Sequence, residues 1–301
     1  MRGSKFYLLL ILFVLTLPCS YAQNTAYQFS HLDIADGLSV NQVSCVFKDA
    51  NGFMWFGTIS GLNRYDGYKF RVFKHSANDP NSISDNIIKG IFEGPDKQLW
   101  IKTHYSLSVY NPVTEKFSND IGNELGKYNI LTDQLTLIKK DRHGNFWFLT
   151  NNKGLYCYYP KSKSTVFFNN SNRSSVKLHS NTVTDIIEDS HNFVWLIYND
   201  GVIDKFDTRT NKIIYTSDKL ANANNKRTEL YSATLDNKGN LWLFATGSTM
   251  GIYRYNINAD AINHFSADFG DIRLNCNVIN NIIIGDDNKI WIGTDSGGIN
   301  L

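Results

Sequence analysis

The sequence predicts an all-β chain folded as a β-propeller of four-stranded blades, with five complete blades and a truncated sixth belonging to a seven-bladed ring. Three observations predict it. All six tryptophans, Trp55, Trp100, Trp147, Trp195, Trp242 and Trp291, stand 45, 47, 48, 47 and 49 residues apart. Each follows a recurring turn signature and is flanked by short apolar or β-branched runs. After residue 22 no segment carries a helical stripe of useful length. Short strands recurring at this period, with one aromatic and glycine signature per unit, make a propeller blade. A solenoid is the competing repeat architecture, whereas a sandwich does not account for six copies of one unit.

The first residues read as an export signal. Arg2 and Lys5 form a positive region, 6–17 is apolar but for one Thr, and Ser20-Tyr21-Ala22 has the small-x-small pattern of a signal peptidase site. The apolar run falls short of the roughly 20 residues that cross a bilayer as a helix. Residues 1–22 are therefore assigned to a cleaved signal and 23–301 to the propeller. Pro18 before Cys19 argues against a lipoprotein anchor. Without Arg2 and Lys5 the chain has 28 basic residues against 28 acidic ones, and this neutral balance offers nucleic acid no electrostatic footing. With 42% apolar and 14% aromatic residues, the chain can bury a sizeable core.

Segment 27–32 matches 68–73, an outermost strand, and has no blade of its own. It is expected to complete the last blade, because closure removes an exposed edge. The innermost strands are expected at 43–48, 87–92, 135–140, 183–188, 231–235 and 278–284. A turn follows each. Six residues before Trp stand Asp49, Asp141, Asp189 and Asp236, with Gly94 and Gly285 in the other two units; three before it stand Gly52, Gly144, Gly239, Asn192 and Asn288. The Asp is a turn cap, and Gly and Asn tolerate a left-handed backbone; only Lys97 departs. The Trp-bearing second strand leads through another turn to a third strand, as at 62–66, 107–111 and 252–256. A fourth follows at 69–73, 116–117, 165–168, 212–215 and 263–265. Fourteen residues before Trp, Asn41, Asn86, Asn181 and Asn277 read as side-chain caps of the innermost strand. Residues 298–301 match 61–64, so the sixth unit stops inside its third strand, which suggests an amino-terminal piece of a longer protein or a shortened reading frame.

Cys45, Cys157 and Cys276 show neither CxxC spacing nor a nearby His pair. They are expected as small buried hydrophobes, with no disulfide framework, metal or cofactor. The seven histidines are scattered, with no paired carboxylate motif, so no catalytic residue is assigned.

Asp36-Gly37-Leu38-Ser39-Val40-Asn41-Gln42-Val43, then Asp49-Ala50-Asn51-Gly52-Phe53-Met54-Trp55-Phe56-Gly57-Thr58 and Gly61-Leu62-Asn63-Arg64-Tyr65-Asp66-Gly67, resemble the two-component regulator propeller repeat found in hybrid two-component sensors of Bacteroides-type bacteria. The second unit departs at Lys97 and the fourth at Tyr198, where others have Thr. The resemblance implies a periplasmic sensor region of two seven-bladed propellers, then a β-domain, a membrane span, a histidine kinase and usually a DNA-binding response regulator. It implies an oligosaccharide ligand, homodimerisation of the full-length form, and membrane contact only through the later part.

A binding and signalling module is therefore the leading functional class. A propeller lyase and a protein-binding scaffold are the alternatives. The Asp-bearing turns are short and uniform, whereas the loops between second and third strands vary: Ile59-Ser60, His104-Tyr105, Asn151-Asn152-Lys153, Tyr198-Asn199-Asp200 and Gly247-Ser248-Thr249-Met250. Variation on a rigid scaffold is where recognition is built. His104, Tyr105 and Tyr198 pair a flat apolar face with a polar edge and are the candidate sugar contacts.

Overall fold

The computed structural model describes residues 30–132, 134–171 and 176–301. Six antiparallel sheets follow one another along the chain, each a meander in sequence order. The first blade is β1 (Val43–Lys48), β2 (Met54–Thr58), β3 (Gly61–Tyr65) and β4 (Phe70–Phe73), and the second is β5 (Ile88–Glu93), β6 (Leu99–Thr103), β7 (Leu107–Asn111) and β8 (Lys116–Ser118). The third comprises β9 (Leu135–Lys140), β10 (Phe146–Thr150), β11 (Leu155–Tyr159) and β12 (Ser164–Phe168); the fourth β13 (Val183–Glu188), β14 (Phe193–Tyr198), β15 (Ile203–Asp207) and β16 (Lys212–Ser217). The fifth is β17 (Tyr231–Leu235), β18 (Asn240–Ala245), β19 (Ile252–Asn256) and β20 (Ala261–Phe265), and the sixth has three strands, β21 (Ile279–Ile284), β22 (Ile290–Thr294) and β23 (Ile299–Asn300). The chain is an all-β propeller with five four-stranded blades and a sixth of three.

Strands β1, β5, β9, β13, β17 and β21 pack consecutively on one another, which makes them the inner edge. A bulge near the start of this strand recurs in five blades, around Ser44, Lys89, Thr136, Thr184 and Asn280. At Ser44 and Thr136 the bulge residue takes part in a bond between blades, and Lys139 makes a further one. Ser44 Oγ donates to Ile88 O at 2.6 Å, Lys102 Nζ to Thr136 O at 3.4 Å and Lys139 Nζ to Ile186 O at 3.0 Å.

The hydrophobic core lies between blades. A blade is one sheet with two faces, and only a neighbouring sheet can cover them. Trp55 shares a cluster with Ile88, Leu99 and Tyr110 of the second blade, Trp147 with Val183, Val194 and Phe206 of the fourth, and Trp195 with Leu241 and Tyr255 of the fifth. Each indole is held by its turn. Trp Nε1 donates to the carboxylate of Asp49, Asp141, Asp189 or Asp236 at 2.8 to 3.0 Å. The other oxygen accepts backbone N–H groups two and four residues on, as from His191 and Phe193 to Asp189. The expected cap is thus also the indole clamp. In the second blade Gly94 replaces the Asp and Trp100 Nε1 is buried without a partner. Lys97 nonetheless keeps the left-handed turn, at φ 60°, so the backbone geometry persists where the residue type does not.

The repeated Asn does more than cap its own strand. The side chains of Asn86, Asn181 and Asn277 accept from His75 N, Asn170 N and Ala267 N, just beyond the preceding blade's outermost strand. Their backbone carbonyls accept from Gly61 N, Gly154 N and Gly251 N in that blade's second turn. One residue therefore ties two points of the previous blade.

Two expectations need correction. Helix is not confined to 1–22, a segment outside the described residues: α1 (Ile121–Gly126) and α2 (Lys219–Ala223) fill connections between blades. Ile121, Leu125 and Leu220 are buried under the sheets, and five or six residues are too few to show periodicity in the sequence. The proposed strand at 27–32 is not seen at 30–32, and 27–29 lie outside the described residues.

Removing the clamp leaves a buried indole N–H and two backbone N–H groups unpaired. Asp189→Ala is expected to lower unfolding free energy by about 1–3 kcal/mol in urea titration. Gly94→Asp, which restores the common residue, is also expected to destabilise, because its Cβ would lie 2.1 Å from Trp100 Nε1.

Candidate functional site

The loops after the Trp strands share a local closure. Thr58, Thr103, Thr150 and Thr294 are buried and donate through Oγ1 to the carbonyls of Gly61, Ser106, Gly154 and Gly298 at 2.8, 3.0, 2.6 and 2.9 Å. That bond seals the end of the second strand, so only residues between the two ends project outward. In the second blade these are His104 and Tyr105. Their rings meet edge to face at 4.4 Å, and Tyr105 is 85% exposed.

Tyr105 stands at the mouth of a cleft of about 690 Å³. Its other walls come from the connection between the second and third blades. Asp120 caps α1 by accepting from Asn123 N at 3.1 Å, and Ile121 and Leu125 anchor the helix in the core beneath. Gly122 and Gly126 bare its upper face, and Leu131, 88% exposed, closes the far side. The lining's polar groups are Tyr105, Ser106, Asn119 and Thr132. Asn119 is fixed, accepting from Ser108 Oγ at 2.7 Å and donating to Ser82 O at 2.9 Å. Among the described residues the lining contains no Lys, Arg, His or carboxylate. Such a surface can stack an apolar ring face and hydrogen-bond its edge; it holds no ordinary acid–base pair.

His104 lies beside this cleft and braces Tyr105. Tyr198 is elsewhere and differs from the expected exposed loop aromatic. It is the last residue of β14, fully buried, with its hydroxyl donating to Asp204 Oδ2 at 2.7 Å. Thr216 Oγ1 donates to the other Asp204 oxygen at 2.5 Å. Burial, with the Asp204 carboxylate alongside, pushes the Tyr198 phenol far above its ordinary range. The surface at this blade end is instead His179, whose Nε2 lies 2.6 Å from Asp200 Oδ2 and whose ring meets Tyr198 at 5.2 Å. Tyr198 occupies the register position that holds the buried Thr in four other blades. That departure from Thr was the signal of its burial. The signal for the cleft was the long stretch from 119 to 134, with Asp120 poised to cap a helix.

The fold and repeat define a β-propeller. Residues 37–60 match the two-component regulator propeller family, and five further units follow at a similar spacing. A 63-residue stretch, 21% of the chain, is 38% identical to histidine kinase P4 of Formosa agariphila and spans 5% of that kinase. The fold is similar to the extracellular domain of a hybrid two-component system of B. thetaiotaomicron, with TM-score 0.55, 21% identity, and coverage of 91% of this chain and 41% of that one. It is also similar to PorZ, a surface component of the type-IX secretion system of Porphyromonas gingivalis, with TM-score 0.57, 16% identity, and coverage of 86% and 38%. The chain thus spans less than half the length of these relatives. No helix among the described residues is long and apolar enough to cross a membrane.

Tyr198 and Tyr105 are separable by stability. Tyr198→Phe leaves a buried carboxylate short of a donor and is expected to cost about 1–3 kcal/mol by chemical denaturation. Tyr105→Ala, at an exposed loop tip, is expected to change stability by less than about 0.5 kcal/mol.

Proposed function

We propose that this chain is the ligand-sensing propeller of a hybrid two-component histidine kinase, exported to the periplasm, where it recognises an oligosaccharide and through its kinase regulates transcription. The observation that carries the reading is Tyr105: an exposed ring at the mouth of a cleft built on rigid blades, in a protein of two-component regulator propeller repeats. The cleft's chemistry supports binding over lyase activity, since its lining, among the described residues, holds no Lys, Arg, His or carboxylate. A sugar ring would lie against Tyr105 and Leu131, with its hydroxyls toward Ser106 and Thr132. In the same reading the blades belong to a seven-bladed ring, whose closing blade would cover Val43 and Val46, both exposed on the inner strand β1. The full-length form would act as a homodimer, and the region itself would contact neither nucleic acid nor membrane.

The test is titration calorimetry of the protein against a panel of neutral oligosaccharides. At least one is expected to bind saturably, and Tyr105→Ala to weaken it about tenfold, equivalent to about 1.4 kcal/mol, with unchanged melting temperature. No saturable binding across the panel, or affinity indifferent to Tyr105→Ala, would remove the cleft from the sensing mechanism.

A further inference from the structure

The opposite face, where the Asp-bearing turns emerge, holds a larger cavity of about 740 Å³ at the inner ends of the third to sixth blades. Its floor is apolar, including Ile187, Leu235, Ile257 and Ile284. Its rim is set by the turns. In each Asp turn the carboxylate and the residue with positive φ fix the backbone, as at Asp141 with Gly144, Asp189 with Asn192 and Asp236 with Gly239. Of the two residues after the Asp only the second serves the turn, through its backbone N–H, so neither side chain is dictated by that clamp.

In three consecutive blades those free positions carry a basic side chain at this cavity: Arg142, His191 and Lys238. The equivalent positions of the first blade are Ala50 and Asn51, those of the second Pro95 and Asp96, and those of the sixth Asp286 and Asp287. The cations thus stand on the third to fifth of these turns, while the sixth, whose Ile284 and Asn288 also line the cavity, carries Asp286 and Asp287. Other charges there are already engaged. Lys140 pairs with Glu93 at 2.7 Å and Lys139 with Asp185. Asp189 and Asp236 face their indoles, and Glu188 accepts from Arg142 N at 2.5 Å and lies 3.2 Å from His143 Nδ1. That contact across blades fixes the backbone of Arg142. Neither Arg142 nor Lys238 forms an ion pair among the described residues. Asn237, Asn258 and Asn288 complete the rim with amide groups.

We infer that this cavity is a second binding site, for a small ligand bearing carboxylate or sulfate groups, gripped by Arg142 and Lys238 from opposite sides with His191 between and its apolar body over the isoleucine and leucine floor. Guanidinium and ammonium groups without a carboxylate partner recognise oxyanions, and the planar fork of Arg142, whose Nη1 donates to Asp189 O at 3.5 Å, suits either chemistry. The site is independent of the Tyr105 cleft and stands or falls separately.

The test titrates the protein with three tetrasaccharides: a sulfated heparin fragment, an oligogalacturonate and neutral cellotetraose. One or both charged probes are expected to bind saturably, with affinity falling at least about tenfold as NaCl rises from roughly 50 to 500 mM. The arm that binds more tightly names the oxyanion. The double variant Arg142→Ala, Lys238→Ala is expected to weaken that probe at least about tenfold without lowering melting temperature, because both side chains are exposed on their turns. Tyr105→Ala is expected to leave it unchanged. Cellotetraose binding weakened by the double variant as much as the charged probes, no saturable binding by either charged probe, or charged-probe affinity indifferent to the double variant would overturn the proposal. Loss of charged-probe binding in Tyr105→Ala alone would move the anion to the other face and overturn it equally.

Discussion

Everything in this structure depends on the indole of one tryptophan per blade being held in a fixed orientation between two sheets. A four-stranded blade has no interior of its own, so its apolar side chains are covered only when the next blade lies against them. An unguided indole in that space could turn its ring edge or its polar nitrogen toward the neighbour. The carboxylate six residues earlier removes the choice by accepting the N–H while capping the turn that leads back to the Trp strand. In the first, third, fourth and fifth blades turn, strand and indole orientation are therefore coupled through one Asp, and the ring meets the neighbouring blade edge to face, as Trp147 meets Phe206 at 5.7 Å and 87°. Trp242 shows the dependence from the other side. It stacks on Phe265 of its own blade, yet it is only half-buried where the sixth blade has three strands.

The same economy explains why so much of the fold was legible in the sequence. A repeated unit must solve the same local problems at every copy, so Trp, Asp, Gly and Asn return in register, and register alone locates strands and turns. What register cannot convey is the partner across a gap. Asn86 and Asn181 were readable as caps, but that each ties two points of the preceding blade required the blades to be set side by side. The helices α1 and α2 escaped for a different reason. They are too short to show a stripe, and only the burial of Ile121, Leu125 and Leu220 between blades makes them helical.

Candidate binding residues were read less well than the frame, and the cause is again positional. Tyr105 and Tyr198 look alike as aromatics near the end of a Trp strand, yet Tyr105 lies two residues beyond the buried Thr103, whereas Tyr198 stands in the register position of that Thr. The first is pushed into solvent and the second into the core, where its hydroxyl needs Asp204 as partner. Residue type suggested a sugar platform at both; register separated them. Likewise the Asp turns were read as structural because they are uniform, although uniformity describes the residues that hold the backbone and says nothing of the two whose side chains do not.

That distinction assigns different freedoms to the two faces. On the Tyr105 face, recognition arises from insertion: a connection long enough to form a helix builds a wall beside Tyr105, and the cleft is apolar because α1 must bury its underside to stay in place. On the Asp-turn face nothing can be inserted without breaking the clamp on the indole, so variation is limited to side chains at two exposed positions per turn. Charge is the property two such positions can change most, because it acts over distance and needs no backbone movement. A propeller whose packing freezes its turns is therefore left to shape one face by its loops and to tune the other by its charges, and Leu131 and Arg142 are where each freedom has been used.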